Sequence, residues 1–294
     1  MNASSRERVR VTEVGPRDGL QNERAIVPVA AKVEFIDRLS ACGFPEVEAT
    51  SFVSAKWVPQ LGDAAEVFAR VHRSSETLLS ALVPNEQGLD AALAAGVDKI
   101  AVFVAASEAF SQRNTNGSIA QVLERVGHVV TRARRDALPV RGYISCTIRC
   151  PYDGPTEPAR VREVAERLLA LGATEIDLGD TIGAAEPSDI ARLFDGLDGV
   201  LTPGRATLHL HDTHGRASAC VERALELGVR SFDASVAGLG GCPYANGAPG
   251  NLATETLLSI LTRAGFDTGV DTDAVVATAQ WIRQQLAALR PSSS

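Results

Sequence analysis

One pattern recurs eight times along the 294-residue sequence: a short run of β-branched residues, a loop, and a run rich in Ala, Leu, Glu and Arg that is typical of a helix. The predicted strands are 9–14, 46–49, 77–82, 99–104, 140–144, 175–178, 206–211 and 231–236. The predicted helical runs include 29–42, 88–95, 158–171, 217–227 and 254–264. Eight β/α units in about 265 residues predict an α/β fold of the TIM (β/α)8 barrel type. An open doubly wound sheet is the alternative fold.

Glycines punctuate this pattern where a predicted helix turns back towards the next strand. Such a glycine can adopt the left-handed conformation that ends a helix. The candidates are Gly43, Gly96, Gly172, Gly228 and Gly265. We expect residues 1–294 to form a single catalytic barrel domain, in which 266–294 is a C-terminal extension that carries an additional helix over 272–290.

The composition excludes several classes of protein. Acidic residues outnumber basic ones 36 to 29, so a broad electrostatic footprint for nucleic acid is missing. The longest apolar stretch, 100–106, is far shorter than the roughly 18 residues that a membrane helix needs. No apolar signal core follows the start, which favours a cytoplasmic protein with no membrane partner. The 5 cysteines have irregular spacing and predict reduced thiols, and we interpret Cys146 and Cys150 as packing residues.

Polar side chains gather where predicted strands end and loops begin. Arg17 and Asp18 follow the first strand, Glu48 and Ser51 end the second, Asp180 follows the sixth, and His209 and His211 end the seventh. In a TIM barrel this face collects side chains from every strand and carries the active site. The sequence therefore predicts a functional site at the carboxyl ends of the strands.

The segment HLHDTHG, residues 209–215, contains two histidines that are two positions apart. Residues with that spacing share one face of a strand, so His209 and His211 should point the same way, towards Asp18 and Asn251 on the same rim. Two imidazoles, a carboxylate and an amide oxygen make a mixed site for a divalent cation. Oxygen ligands favour Mg²⁺ or Mn²⁺, although zinc or non-haem iron also suits two histidines and a carboxylate. A pair of structural histidines is the alternative.

Two further segments carry chemistry. Residues 235–251, here called the Gly-rich loop, hold several glycines and the single thiol of Cys242. Glycines allow close approach of the backbone to a ligand, so a phosphate cradle is one interpretation, but a flap that closes over substrate explains the loop better. In TEVGPRDGLQNE, Arg17 offers fixed planar donors to a carboxylate or oxyanion, whereas a structural Arg-Asp bridge is the alternative.

Five segments, taken in order, resemble one family. VTEVGPRDGLQNE, SFVSAKWVPQLGD, GDTIG, HLHDTHG and SVAGLGGCPYANGAPGN are similar to segments of the 3-hydroxy-3-methylglutaryl-CoA lyases of the DRE-TIM metallolyases. The similarity runs from about residue 9 to residue 269. Residues 235–244 are the most specific part, because the Arg-Asp-Gly and HxH elements also occur in related synthases and lyases.

The resemblance implies an enzyme that cleaves 3-hydroxy-3-methylglutaryl-CoA to acetyl-CoA and acetoacetate with Mg²⁺ or Mn²⁺, as in leucine degradation and ketone body metabolism. It implies that Arg17 stabilises the enolate and that Cys242 is an essential thiol. The metal ligands that it implies are Asp18, His209, His211 and Asn251. Glu48 is expected at the catalytic site, and Gln21, Asp180 and Thr181 are expected to join Arg17 in binding substrate. A homo-oligomer, most simply a dimer, is the family expectation.

Some positions depart from the family pattern: His214 where Tyr is expected, Ala55 where Pro is expected, and Ala185 and Glu186 where Gly and Thr are expected. These loops lie near the predicted pocket, so a related 3-hydroxyglutaryl-CoA with a longer branch is an alternative substrate. A Claisen-type synthase of the same superfamily is a second alternative, although such synthases lack the Gly-rich loop with its cysteine. A non-catalytic metal-binding barrel would leave Arg17 and Cys242 unexplained.

Overall fold

Eight parallel strands close on themselves into a barrel in the computed structural model, which describes residues 6–240 and 250–289. The barrel strands are β1 (Arg10–Glu13), β2 (Glu46–Ser51), β3 (Leu78–Leu82), β4 (Lys99–Ala105), β5 (Val140–Ser145), β8 (Glu175–Asp180), β9 (Ala206–Leu210) and β10 (Ser231–Ala234). Between β5 and β8 lies a small antiparallel pair, β6 (Arg149–Cys150) and β7 (Gly154–Pro155). The last barrel strand pairs with the first, with Arg10 opposite Ser231 and Glu13 opposite Ala234. This closure confirms the TIM barrel and excludes the open sheet.

Helices surround the barrel and follow its strands. They are α1 (Val29–Ala41), α2 (Ala64–Arg70), α3 (Glu86–Ala95), α4 (Glu108–Thr115), α5 (Ile119–Arg135), α6 (Pro158–Leu171), α7 (Pro187–Gly196), α8 (Ala217–Glu226), α9 (Thr254–Arg263) and α10 (Thr272–Ala288). Four of them, α2, α4, α5 and α7, lie outside the helical runs singled out from the sequence. Helix α5 begins at a capping box, in which the Ser118 side chain and the Gln121 side chain satisfy each other's backbone N–H groups. Its apolar stripe then packs on the barrel.

The predicted boundaries differ from the observed ones mainly at the carboxyl ends of the strands. Strand β8 continues to Asp180, so this residue ends the strand instead of following it. Strand β9 stops at Leu210, and His211 lies one residue beyond it, in an isolated bridge with Asn251. The additional C-terminal helix is present and ends at Ala288. Each of these shifts is one or two residues.

All five glycines predicted to end helices have positive φ, as expected. Gly172, which ends α6, has a φ of 110°, and a Cβ at this position would lie 2.3 Å from Cδ of Arg134. The exposed Arg134 side chain could move aside, so it is the backbone conformation that requires glycine there.

A ring of charged side chains, here called the basal layer, fills the barrel at the amino ends of the strands. Its members are Arg10, Glu46, Lys99, Arg141 and Glu175. Lys99 Nζ lies 2.9 Å from Glu46 Oε2 and also contacts Glu175. Arg141 Nε lies 3.1 Å from Glu175 Oε2. Every charge in the layer thus faces at least one opposite charge, at the end of the barrel that is remote from the predicted site.

The remaining sequence expectations concern thiols and membranes. Cys146 and Cys150 are buried free cysteines in a small apolar cluster with Ala105 and Phe110, which is the packing role predicted for them. Among the described residues, the helices are all too short or too polar to cross a membrane.

Candidate active site

The chain segment that carries Arg17 and Asp18 is a single π-helical turn, Gly15–Gly19, directly after β1. The buried Glu13 carboxylate holds this turn and two other segments in place. Its Oε1 accepts the backbone N–H of Gly15 at 2.8 Å and that of Val236 at 2.9 Å, and its Oε2 accepts the Thr254 hydroxyl at 2.6 Å. Burial raises the pKa of Glu13 to about 8, since these donors do not offset the lost hydration. The three segments that form one side of the site therefore share a single anchor.

Arg17 lies between two carboxylates. Its Nε donates to Glu48 Oε2 at 2.7 Å, its Nη1 donates to Asp18 Oδ1 at 2.5 Å, and its guanidinium lies over the Tyr143 ring at 5.4 Å from the centroid. Burial works against the charge, but Glu48 and Asp18 outweigh it and raise the pKa of Arg17. The side chain is thus a fixed cation at the floor of the site, with a geometry that suits an oxyanion.

His209 and His211 project from the end of β9 with ring centroids 5.3 Å apart. One ligand atom from each of them and one from Asp18 all lie within 4.8 Å of one another. This spacing is short enough for a single cation to contact all three groups. The structure therefore brings together the two histidines and the carboxylate that the sequence had placed on one rim.

Asn251, which lies between β10 and α9, completes this cluster. Its Nδ2 donates to Asp18 Oδ2 at 2.7 Å and to the Leu239 carbonyl at 3.0 Å. Its Oδ1 is buried and has no hydrogen-bond partner among residues 6–240 and 250–289. A buried amide oxygen without a donor costs free energy unless something else satisfies it. An oxygen left open beside two imidazoles and a carboxylate fits a divalent cation.

The charges of the cluster also suit metal binding. Burial alone would raise the pKa of Asp18, but Arg17 and His209 lower it to about 2, so the carboxylate is ionised. Burial and the neighbouring His209 lower the pKa of His211 to about 4, so this imidazole is neutral and keeps a lone pair. For His209, burial lowers the pKa but Asp233 and Asp18 raise it further, and the net shift is upwards. An ionised carboxylate and a neutral imidazole are the forms that bind metals.

Glu48 is engaged on one oxygen only. Its Oε2 accepts from Arg17 and, at 3.1 Å, from the Tyr143 hydroxyl. Its Oε1 is buried, and no donor within the described part of the chain reaches it. Burial raises the pKa of Glu48 despite the opposing charge of Arg17. The two carboxylates that flank Arg17 therefore differ in acidity, and both contact the same guanidinium.

The predicted substrate contacts are less closely tied to the cluster. Asp180 accepts the backbone N–H groups of Ala184 and Ala185 at 3.0 and 2.9 Å, so it organises its own loop, and burial raises its pKa to about 6. Thr181 Oγ1 accepts the backbone N–H of Cys146 at 2.8 Å. Gln21 is half-buried just beyond the π-helical turn. Their roles towards substrate stay predictions.

Other predicted positions lie apart from the cluster or outside the described residues. Cys242 lies outside the described residues. His214 is exposed in the turn after β9. Ala185 is buried within its loop, where its carbonyl accepts the Cys220 thiol at 3.5 Å. Ala55 packs near Gly62, and a Cβ added at Gly62 would lie 2.7 Å from the Cβ of Ala55.

Residues that sequence reasoning missed lie one level deeper in the barrel. The Tyr143 hydroxyl lies 3.1 Å from both Glu48 Oε2 and Asp233 Oδ2, so its single proton can be donated to either carboxylate. Arg141 Nη1 donates to Asp233 Oδ1 at 2.8 Å. A signal for them exists, because Arg141 and Tyr143 alternate in β5 and so face the same side of the strand. A buried Arg and Tyr on one face of an otherwise apolar strand indicate a polar barrel interior.

Known proteins resemble this chain over nearly all of its length. Residues 8–282 match the family model described as HMGL-like. A relative from Rattus norvegicus named 3-hydroxy-3-methylglutaryl-CoA lyase, cytoplasmic, is 48% identical over 94% of this chain and 80% of its own length. A Pseudomonas aeruginosa relative named 3-hydroxy-3-isohexenylglutaryl-CoA/hydroxy-methylglutaryl-CoA lyase is 49% identical over 94% of this chain and 92% of its own length.

A solved structure adds a ligand to this comparison. It is an HMG-CoA lyase from Acinetobacter baumannii in complex with coenzyme A and 3-methylmalate, and it superposes on this chain with a TM-score of 0.91 at 35% identity. The match covers 98% of this chain and 93% of that one. The resemblance found in the short motifs therefore extends to the whole fold.

Proposed function

Because this chain belongs to the HMGL-like family, we propose that it is a carbon–carbon lyase that cleaves 3-hydroxy-3-methylglutaryl-CoA to acetyl-CoA and acetoacetate. The observation that carries the proposal is the meeting of Arg17, Asp18, His209, His211 and Asn251 at one end of the barrel. A cation site and a fixed guanidinium side by side would supply the Lewis acid and the partner for the developing oxyanion in a retro-Claisen cleavage. The proposal treats residues 1–294 as one catalytic unit.

The residues that would hold the cation are Asp18, His209, His211 and Asn251. Their oxygen-rich set favours Mg²⁺ or Mn²⁺. A divalent cation held there would supply Lewis acidity to a substrate hydroxyl, and Asp18 would be the base that takes the proton of that hydroxyl. Asp18 suits that role by position, because its side chain is 20% exposed whereas that of Glu48 is 1% exposed. Glu48 instead keeps Arg17 charged and oriented.

Arg17 acts where negative charge develops. When the bond between C2 and C3 breaks, the electron pair moves onto the thioester oxygen and forms an enolate. A buried guanidinium that Glu48 and Asp18 already hold in place needs no reorganisation to stabilise that oxygen. Cys242, which lies outside the described residues, is proposed to protonate C2 of the carbanion.

The partners and the setting follow from the same proposal. The substrate is an acyl-CoA thioester, as the coenzyme A bound to the Acinetobacter relative supports. Curated relatives include forms named cytoplasmic and mitochondrial, and we propose the cytoplasm for this chain. We also propose a homodimer and a place in leucine degradation or ketone body metabolism.

A second candidate substrate is a 3-hydroxyglutaryl-CoA with a longer branch. The name of the Pseudomonas relative includes such a compound beside the methyl one. The departures at Ala55, Ala185, Glu186 and His214 lie in loops at the same end of the barrel. A wider acyl pocket would favour the longer branch.

A direct assay tests both candidates. Purified protein with Mg²⁺ is given 3-hydroxy-3-methylglutaryl-CoA, and acetoacetate and acetyl-CoA are followed; the isohexenyl analogue is run in parallel. We expect cleavage of the methyl substrate, and a higher kcat/KM for the analogue would make the second candidate the better one. No cleavage of either compound, together with condensation of acetyl-CoA with an oxo acid, would replace the lyase by a synthase.

A further inference from the structure

The His209 ring has a carboxylate behind it. His209 Nε2 lies 4.0 Å from Asp18 Oδ2, on the side of the candidate metal site, and Nδ1 on the opposite side of the ring lies 3.6 Å from Asp233 Oδ2. Nδ1 is buried and has no hydrogen-bond partner in the described residues. Asp233 and His209 are also paired neighbours in the β10–β9 ladder, so their side chains project from one face of the sheet.

Asp233 is itself held rigidly. Its Oδ1 accepts Arg141 Nη1 at 2.8 Å, its Oδ2 accepts the Tyr143 hydroxyl at 3.1 Å, and the side chain is fully buried. Asp177 lies against it in the same interior layer. The Arg141 guanidinium and the Tyr143 hydroxyl fix the position of this carboxylate. Asp233 therefore offers the His209 ring an acceptor in a defined place.

The second histidine lacks such a partner. His211 Nδ1 is buried, and neither a hydrogen bond nor an ion pair joins it to another described side chain. It lies just beyond β9, where the backbone bridge with Asn251 sets its position instead. The two imidazoles are thus supported differently, one by a carboxylate and the other by the backbone.

We propose that Asp233 is a positioning residue that orients the His209 ring, with the proton on Nδ1 facing Asp233 and the lone pair on Nε2 facing the cation. A small rotation of the ring closes the 3.6 Å separation to hydrogen-bond length. Carboxylates behind a ligating imidazole fix its tautomer and raise its basicity. The inference rests on the proposed metal site, and it adds a residue that touches neither substrate nor cation.

The test measures binding of Mn²⁺ alone, by electron paramagnetic resonance of the free ion. Asp233→Asn should weaken Mn²⁺ binding by about 10- to 100-fold. Asp63→Asn is the control, because it changes a carboxyl at the start of α2 that pairs with Lys32, apart from His209 and Asp233, and it should bind close to wild type. Wild-type affinity in Asp233→Asn, or equal losses in the two variants, would overturn the proposal.

A second measurement reads the ring directly and needs no metal. Nitrogen NMR of protein with labelled histidine rings, assigned with His209→Ala and recorded at a pH high enough for the imidazole to be neutral, should show the proton on Nδ1 of His209 in the wild type and a mixed tautomer in Asp233→Asn. An unchanged tautomer would contradict the proposed role even if the variant bound Mn²⁺ weakly through partial unfolding. If His209→Ala binds Mn²⁺ as tightly as the wild type does, the proposed metal site is wrong. If His209→Ala loses Mn²⁺ affinity but Asp233→Asn does not, the metal site stands and only the positioning role of Asp233 is refuted.

Discussion

The two ends of the barrel interior are both lined by charged side chains, yet they differ in how those charges are satisfied. In the basal layer, Lys99 and Arg141 each face the carboxylates of Glu46 and Glu175. At the opposite end, buried polar atoms of Glu48, His211 and Asn251 have no partner within the described chain. Burial removes hydration from polar groups at both ends of the barrel. Only in the basal layer do contacts inside the protein pair every charged group and so offset that cost.

The contrast separates charges that serve the fold from charges that serve a ligand. Buried polar groups in native proteins are nearly always hydrogen-bonded, so a cluster of exceptions needs an explanation such as an ion. Burial of charge is therefore a poor guide to the site, because Lys99 in the basal layer is as buried as Arg17. Unpaired atoms that converge are a better guide, and they are found at the carboxyl ends of the strands.

Chelation should have the largest effect, because it removes the cation that is proposed to bind the unpaired polar atoms of the site. We expect an excess of chelator to abolish cleavage, and Mg²⁺ or Mn²⁺ to restore it, while the barrel stays folded by circular dichroism. His211→Ala should weaken the metal affinity without unfolding the protein. Full activity of metal-stripped protein in chelator would contradict the proposal that the unpaired atoms at the carboxyl ends of the strands bind a cation.

Arg17→Lys should come next, because an ammonium cannot keep the planar contacts with Glu48 and Asp18 while it stabilises an enolate. We expect kcat to fall by about 10²- to 10³-fold with a smaller rise in KM. Arg160→Lys, on the exposed surface of α6, is the matched control and should be neutral. A variant of Arg17 that melts early but turns over normally would assign Arg17 to the fold instead.

Lys99→Met tests the basal layer in the opposite sense. It leaves Glu46 and Glu175 with less compensating charge, so the free energy of unfolding should fall by about 3–5 kcal/mol. The exposed pair of Arg160 and Glu163 provides the control, since Arg160→Met should cost less than about 1 kcal/mol. Denaturant unfolding gives the stability, and kcat per folded molecule should stay near wild type. A stable but inactive Lys99→Met would mean that the basal layer also serves catalysis.

The last effect is gradual and concerns Glu13, which is satisfied by three donors although it lies at the functional end. Its folded pKa of about 8 exceeds the ordinary value of 4.5, so the folded protein holds a proton there that the unfolded chain has released. Stability should therefore fall as pH rises from about 4.5 to 8, by at most about 1.4 kcal/mol per pH unit. Urea midpoints in Glu13→Gln should lose this slope, because Gln resembles the protonated acid.

Glu124→Gln, an exposed carboxyl on α5, is the control and should leave the slope of the wild type unchanged. A slope that persists in Glu13→Gln would show that another group carries the proton.

Much of the site could be predicted because it depends on local patterns. The alternation in β9 was enough to place His209 and His211 on one side, and the rim position of Asp18 follows from the end of β1. The unpredicted parts depend on which strands become neighbours. Asp233 meets His209 only because β10 pairs with β9 in a register that no local pattern encodes. Asp180 shows a different limit, since its bonds to Ala184 and Ala185 are local in sequence but depend on the conformation of the loop.

The pairing of β1 with β10 also determines when the barrel can close during synthesis of the chain. Asp18 emerges from the ribosome near the start of the chain, whereas Asn251, which it meets at 2.7 Å, emerges more than two hundred residues later. The first strand must therefore wait, unpaired on one edge, until the last strand is made. The contact between Asp18 and Asn251 consequently forms only once the last strand has closed the barrel, and a chain cut before residue 251 cannot make it.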